Sequence, residues 1–536
     1  MLLDFKKIKK NLPAVLAAVY AAAALITVIY YVFFPSAAYF HADCSDTLLW
    51  AQASYESGKV FDPDFGYAAM LPFGGTAVMI PLIGIFGASL TAHRVGIVIF
   101  ALILFAAVYF VCRSAEFSRA LSLFAVGTMA LALCSSQKLR EIFYEHVIYY
   151  SICVFIICVL IGFYLRCEKS FRKNGTSKAT LLLFISAFVF TAFSALDGTQ
   201  IIAMSVVPLA FALGCEILFS REKLTSKNNY FDFVFCALLG VGSGFGLCAL
   251  SLLSSGITAG YANAYTSFSD TSEWINNLEK LPEAWCKLFG FAGYYGQSIF
   301  SPEAIVNIIR LGAALAVAIV PIACLIFIKK FDRPSRIIIL SHFGLTAVIM
   351  FGYIFGILSL ADWRLSPLIC TGILVCVCAI RAACGYVIMR RIAAIGMALA
   401  VIFSSASVGA ITGMPKNGLK QNEYYHVAAE LDEKGLNYGY ATFWNSQCIS
   451  VLSDFKVRAA NVDVNGDGIA PCHYQANQKW FEPVDGVDRY FVLLSHNEAL
   501  TLQETEDWHY FEENVTEILG VRGYTVFVFD STDFLN

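Results

Sequence analysis

Residues 81–113 read PLIGIFGASLTAHRVGIVIFALILFAAVYFVCR. From Val95 to Cys112 the stretch carries no charge, and Arg113 ends it. A helix rising 1.5 Å per residue needs about 20 apolar residues to cross roughly 30 Å of hydrocarbon. Runs of this kind recur from Leu12 to Ile411, about eleven in all, at spacings too regular for buried helices of a soluble protein. Composition agrees. Of 536 residues, 58% are hydrophobic and 14% charged, with a mean hydropathy of +0.66, which is too apolar for a water-soluble domain of this size.

The first run, Leu12 to Phe34, follows a basic N-terminus and exceeds the 7 to 15 residues of a signal-peptide core, so it reads as a retained span. Placing Lys6, Lys7, Lys9 and Lys10 in the cytoplasm puts 20 Lys/Arg on that side, among them Arg166, Arg221, Lys223, Arg333 and Arg390. The opposite loops then hold eight: Lys59, Arg94, Lys138, Arg140, Lys280, Lys287, Arg310 and Arg364. That asymmetry predicts a cytoplasmic N-terminus. The outward segments are then the first loop at 35–91, Ser135 to His146, a turn at Asp197, Gly256 to Pro302, Ala361 to Arg364, and everything after Gly413.

After Gly413 the long apolar runs stop, and strand-like pieces appear at Gly439 to Phe443, Tyr490 to Leu494 and Thr525 to Phe529 between helix-like stretches. The expected architecture is an α-helical polytopic membrane domain over 1–412, with a small extracytoplasmic soluble α/β domain over 413–536.

Charge and composition also narrow the chemistry. The formal charge is −3 and no dense basic patch lies outside the cytoplasmic loops, so nucleic acid is not a partner. Of 17 cysteines most lie in apolar spans. Cys44, Cys286, Cys448 and Cys472 lie in polar segments where pairing is open. Gly240, Gly242, Gly244 and Gly246 read as helix-packing positions, since no Lys-Ser/Thr follows them. DVNGDGI, from Asp463, starts like a calcium loop, but Tyr474 stands where the twelfth-position Glu belongs and Pro471 interrupts, so a turn is expected. Asn514 and Thr516 complete a glycosylation triplet. Ionisable residues within spans are few, and His342, Glu216 and Arg381 fall toward cytoplasmic ends, which argues against ion-coupled transport.

The acids gather outside. FHADCSDTLLWAQASYESG sets Asp43 and Asp46 three residues apart, on one face if helical. The pair suits a base and its orienting partner, two ligands of a divalent metal, or a solvated helix N-cap. SSQKLREIFYEH adds Arg140, Glu141, Glu145 and His146, with the two glutamates at i and i+4, facing the aspartates or water.

These residues resemble the GT-C superfamily of polytopic glycosyltransferases, of the protein mannosyltransferase and aminoarabinose transferase type. The first loop is similar to the family's acidic signature through Asp46, Trp50 and Gly58, with Thr47 in place of the usual Glu. The 81–113 stretch is similar to its Pro-Leu, Phe-Gly-x-Ser, Ala-x-Arg run; ADWRLSPLI to its late Arg and Pro element, with Trp363 before Arg364; and YGYATFWNSQCISVL to the tail of some members. The resemblance implies inverting transfer of a hexosyl or pentosyl group from a polyprenyl-phosphate-linked sugar to an envelope polysaccharide, lipid or protein acceptor. Asp46 is the base it implies. Arg364, Arg94, Arg140 and His146 are candidate partners for the leaving phosphate, with Glu141, Glu145 and Trp363 beside them; Arg94 reads equally as an interfacial anchor. A divalent metal on Asp43 and Asp46 remains open, and no other cofactor is implied. The competing readings are a transporter of lipid or lipid-linked saccharide and a non-catalytic envelope assembly protein.

Overall fold

The computed structural model describes residues 5–220, 226–253, 267–292, 298–357 and 361–535. Arg221, Lys223 and parts of the 256–302 loop fall outside these.

Ten described helices are long and apolar enough to cross a membrane, from Asn11–Phe33 to Ile388–Thr412. The bent pair Arg119–Ala132 and Gln137–Glu145, meeting at 117°, makes eleven if it is one span. Leu181, Leu182, Ile185 and Val189 stand exposed on one such helix, as side chains facing hydrocarbon do. The chain is thus an α-helical polytopic membrane protein with a small C-terminal α/β unit.

Helix α1 (Phe5–Phe33) packs on α5 (Arg119–Ala132), α4 (Leu90–Ser114) on the helix Tyr149–Asn174, and the helix Lys178–Ser194 on the helix Lys227–Leu253. In the last pair a Cβ on Gly246 would lie 2.2 Å from the Ala192 carbonyl oxygen, so only glycine allows the approach. At one end of the bundle Arg333 joins three helices. It meets Glu168 at 2.8 Å, Glu216 at 3.0 Å and Asp232 at 2.5 Å, and donates to the Tyr164 hydroxyl at 3.0 Å.

At the other end, α2 (Ala42–Ser57) follows α1 almost directly and stops at Gly58, whose φ of 66° is the left-handed conformation of a helix C-cap. The loop then runs through Gly75–Met79 and α3 (Ile80–Phe86) into α4.

The tail is a six-stranded mixed sheet in the order β3-β2-β1-β4-β6-β5. Strands β1 (Tyr438–Ala441), β2 (Arg458–Asn465) and β4 (Tyr490–Ser495) run parallel. Strands β3 (Gly468–Pro471), β5 (Glu517–Val521) and β6 (Tyr524–Phe529) complete it antiparallel. The calcium-like stretch is the β2–β3 hairpin, with Asn465 paired to Gly468 and the Asn465 side chain accepting from Asp467 N at 2.9 Å. All 17 cysteines are free thiols, so Cys44, Cys286, Cys448 and Cys472 form no disulfide; Cys44 and Cys448 are buried within helices.

The tail seats directly on the first loop. Asn422 Nδ2 donates to the carbonyls of Ala37 (2.8 Å) and Phe40 (2.9 Å), and Asn477 Nδ2 to the Asp62 carboxylate (2.7 Å). Residues 473–477 lie along Gly66: Gly66 N donates to Ala476 O at 3.0 Å and Gln475 N to Gly66 O at 2.7 Å. A Cβ on Gly66 would sit 1.9 Å from His473 O, so this backbone contact also requires glycine.

Candidate active site

Helix α2 carries Asp43 and Asp46 on the face turned toward the bundle, and the tail closes over them. Between these parts lies a cavity of about 710 Å³, within the usual range for small-molecule sites. Its polar lining comes from His41, Asp43 and Asp46; Lys138, Glu141 and His146; Asp197; Trp363 and Arg364; and Trp444, Tyr474 and Gln475 of the tail. Val348, Ile349 and Met204 give it an apolar side among the spans.

Asp46 is half-buried in the cavity wall. Its Oδ1 is buried with no hydrogen-bond partner, and the Gln475 side chain lies near enough to favour its ionised form. Gln475 also accepts from Trp50 Nε1 at 2.9 Å, and its carbonyl accepts from Gln447 Nε2 at 2.7 Å. Its φ of 54° is unusual for a residue other than glycine. A tail residue in a sparsely populated conformation therefore lies beside the first-loop acid. Burial pushes the Asp46 carboxyl well above the ordinary aspartate value, the Asp43 charge adds to the rise, and Gln475 opposes it. Asp43 is raised by burial too, with His41 favouring its ionised form and Glu141 opposing it.

Glu141 meets Lys138 at 2.6 Å and His41 at 3.7 Å, and Lys138 also sits 4.9 Å over the Trp363 ring. Arg364 donates to Gly352 O at 3.1 Å and lines the same cavity as Tyr150. The cavity thus sets an acidic pair beside two cations, Lys138 and Arg364.

The expected site residues divide here. Asp43, Asp46, Glu141, His146, Trp363 and Arg364 line the cavity. Arg94, Arg140 and Glu145 do not. Arg94 lies in the first turn of α4 facing Asp454 of the tail, which also caps Leu90 N at 2.8 Å. Arg140 is buried, donating to Cys134 O at 3.1 Å and stacking 5.3 Å from the Tyr31 ring. Glu145 accepts the Tyr31 hydroxyl. The i and i+4 glutamates therefore serve different surroundings. His146 is present but not as a cation: burial lowers its pKa to about 3, and His41 and Lys138 push the same way, so it is neutral near pH 7 and its Nε2 is unpartnered. Among the described residues no group of three His, Cys, Asp or Glu is placed to hold a metal, so a divalent ion on Asp43 and Asp46 would draw its other ligands from water and substrate. His41, Lys138, Asp197, Trp444, Tyr474 and Gln475 were not legible as site residues.

No family model matches the chain, and no curated protein matches it by sequence. Solved structures do. ArnT from Cupriavidus metallidurans in the apo state superposes with a TM-score of 0.56 at 10% identity, over 97% of this chain and 98% of that one. The same protein bound to undecaprenyl phosphate gives 0.55 over the same shares, also at 10% identity. The archaeal oligosaccharyltransferase AglB from Archaeoglobus fulgidus, in complex with an inhibitory peptide and a dolichol-phosphate, gives 0.51 at 11% identity over 98% of this chain and 74% of that one. The chain shares the fold of these membrane proteins. Identity this low carries architecture and not residue roles, which rest on the cavity itself.

One role is directly testable. Because Gln475 accepts from Trp50 and favours the Asp46 charge, Gln475→Ala is expected to lower any activity that depends on Asp46 by about tenfold, the worth of one polar contact to a charged group. Membrane insertion and tail proteolysis patterns should stay unchanged. Activity equal to wild type would show that the tail does not act through this residue.

Proposed function

We propose that this protein is an inverting glycosyltransferase that moves a sugar from a polyprenyl-phosphate carrier to an acceptor hydroxyl. The supporting observation is a cavity beside Asp46, with that carboxylate's Oδ1 unpartnered and two cations, Lys138 and Arg364, in the same lining. The ArnT and AglB structures, in complex with undecaprenyl phosphate and with dolichol-phosphate respectively, share the fold.

In this reading Asp46 takes the proton from the acceptor oxygen as that oxygen bonds to the anomeric carbon. The bond from that carbon to the phosphate oxygen breaks, and the electron pair leaves with the lipid phosphate. Lys138 and Arg364 pair with the phosphate as its charge grows. Asp43 orients the acceptor or shares a metal with Asp46, which chelator sensitivity distinguishes. The prenyl chain lies toward Met204, Val348 and Ile349, and the tail, through Trp444 and Tyr474, faces an envelope polysaccharide, lipid or protein acceptor.

The reaction takes place on the non-cytoplasmic face of the plasma membrane, with the N-terminus in the cytoplasm and 413–536 outside, as the Lys/Arg asymmetry indicates. A Cys substituted for the exposed Trp444 should react with an impermeant maleimide added to intact cells. Labelling only after lysis would reverse the orientation. The function itself is tested by incubating membranes that contain the protein with radiolabelled polyprenyl-phosphate sugar. Label should pass to envelope material and not in membranes lacking the protein; label that stays on the lipid with every donor would favour a carrier of lipid-linked saccharide.

A further inference from the structure

The turn after the helix Lys178–Ser194 brings a fourth carboxylate to the cavity, beside Asp43, Asp46 and Glu141. Asp197 Oδ1 accepts from Leu71 N at 2.9 Å, which fixes the side chain. Its Oδ2 is buried without a partner, in the same cavity wall as Thr199 and Gln200. A buried acceptor left unpaired is costly unless a ligand completes it. The short loop gives the acid no cation: its backbone contact is an amide, and no salt bridge to it is formed among the described residues. What the turn offers is one unpartnered carboxyl oxygen beside a hydroxyl and an amide, with no cation, a set that suits a ring bearing several hydroxyl groups and not a phosphate.

We infer that Asp197 accepts a hydrogen bond from a hydroxyl of the donor sugar and thereby sets which sugar is used. The inference rests on the cavity receiving a lipid-linked sugar, and it separates this acid from Asp46, which faces the acceptor. Only donors that place a hydroxyl at Oδ2 complete the site. Those lacking it leave the carboxylate unpaired, which is how buried polar groups discriminate between sugars.

The test uses the full-length protein in detergent or liposomes, undecaprenyl-phosphate hexoses, and their monodeoxy analogues. Asp197→Asn keeps an oxygen for Leu71 N and replaces the free acceptor by a donor. Wild type should lose about 10- to 100-fold in transfer with one particular deoxy donor, and Asp197→Asn should lose little further with that donor. Equal penalties in the two proteins at every deoxy position would overturn the inference. Native mass spectrometry without acceptor gives a second readout. Wild type should retain the sugar-bearing lipid in preference to bare undecaprenyl phosphate, and Asp197→Asn should lose that preference. If no donor supports transfer yet this difference in retention appears, Asp197 reads the sugar and the transferase reading fails. Equal retention of both lipids by wild type and variant would overturn the inference itself.

Discussion

Asp46→Asn is expected to slow sugar transfer by at least about 100-fold, the lower end of what a general base contributes, while the protein still inserts and folds. Asn fills the same space and can keep the contact with Gln475, but it cannot take a proton. An unperturbed aspartate ionises near pH 3.9. Here burial and the Asp43 charge raise Asp46 well above that, making it a stronger base that is active only once ionised. Transfer should therefore rise with pH through the range where Asp46 loses its proton. Asp43→Asn removes the neighbouring charge, so this rise should move to lower pH. A pH profile of initial rates for the three proteins checks both points, and wild-type rates from folded Asp46→Asn would dismiss its assignment as the base.

The largest effect on stability is expected from Arg333. Its guanidinium meets Glu168, Glu216 and Asp232, and the Asp232 side chain is 0% exposed. Arg336 shares only Glu216, at 2.7 Å. Arg333→Met leaves Asp232 and Glu168 without this cation, and removing one partner of a buried ion pair costs about 3–5 kcal/mol. Arg333→Lys keeps the charge but cannot span three carboxylates with a planar fork, so its loss should be smaller. Thermal unfolding in detergent should rank wild type above Lys and Lys above Met. A Met variant as stable as wild type would mean the acids take up protons at little cost.

The spans were legible because hydrocarbon imposes one requirement, a long uncharged helix, and about eleven such runs in sequence correspond to ten helices plus one bent pair. The bend was not legible. It depends on Ser136 capping the second helix by accepting from Leu139 N and on Arg140 reaching back to Cys134 O, local bonds that hydropathy does not register. In the tail, β1, β4 and β6 stood out by alternation, whereas β2 reads RAANVDVN and β3 only GIAP, strands whose place is set by pairing.

Asp43, Asp46 and Glu141 line the cavity, whereas Glu145 and Arg140 turn to Tyr31 on α1, a contact that their spacing on one helical stretch does not reveal. Gln475 could not be found in sequence at all. It lies 429 residues from Asp46, the difference of the two numbers, and reaches it only because 473–477 pairs along Gly66. Arg364 and Lys138 were visible as loop cations, but their convergence comes from separate turns.

The most direct measurement follows both products of a single reaction. Purified protein in liposomes, given an anomerically defined undecaprenyl-phosphate sugar and an envelope acceptor, should release one undecaprenyl phosphate for each sugar transferred. Nuclear magnetic resonance should find the new glycosidic bond in the opposite anomeric configuration. Intact lipid-linked sugar moving between leaflets, with no free undecaprenyl phosphate and no new glycosidic bond, would contradict the account.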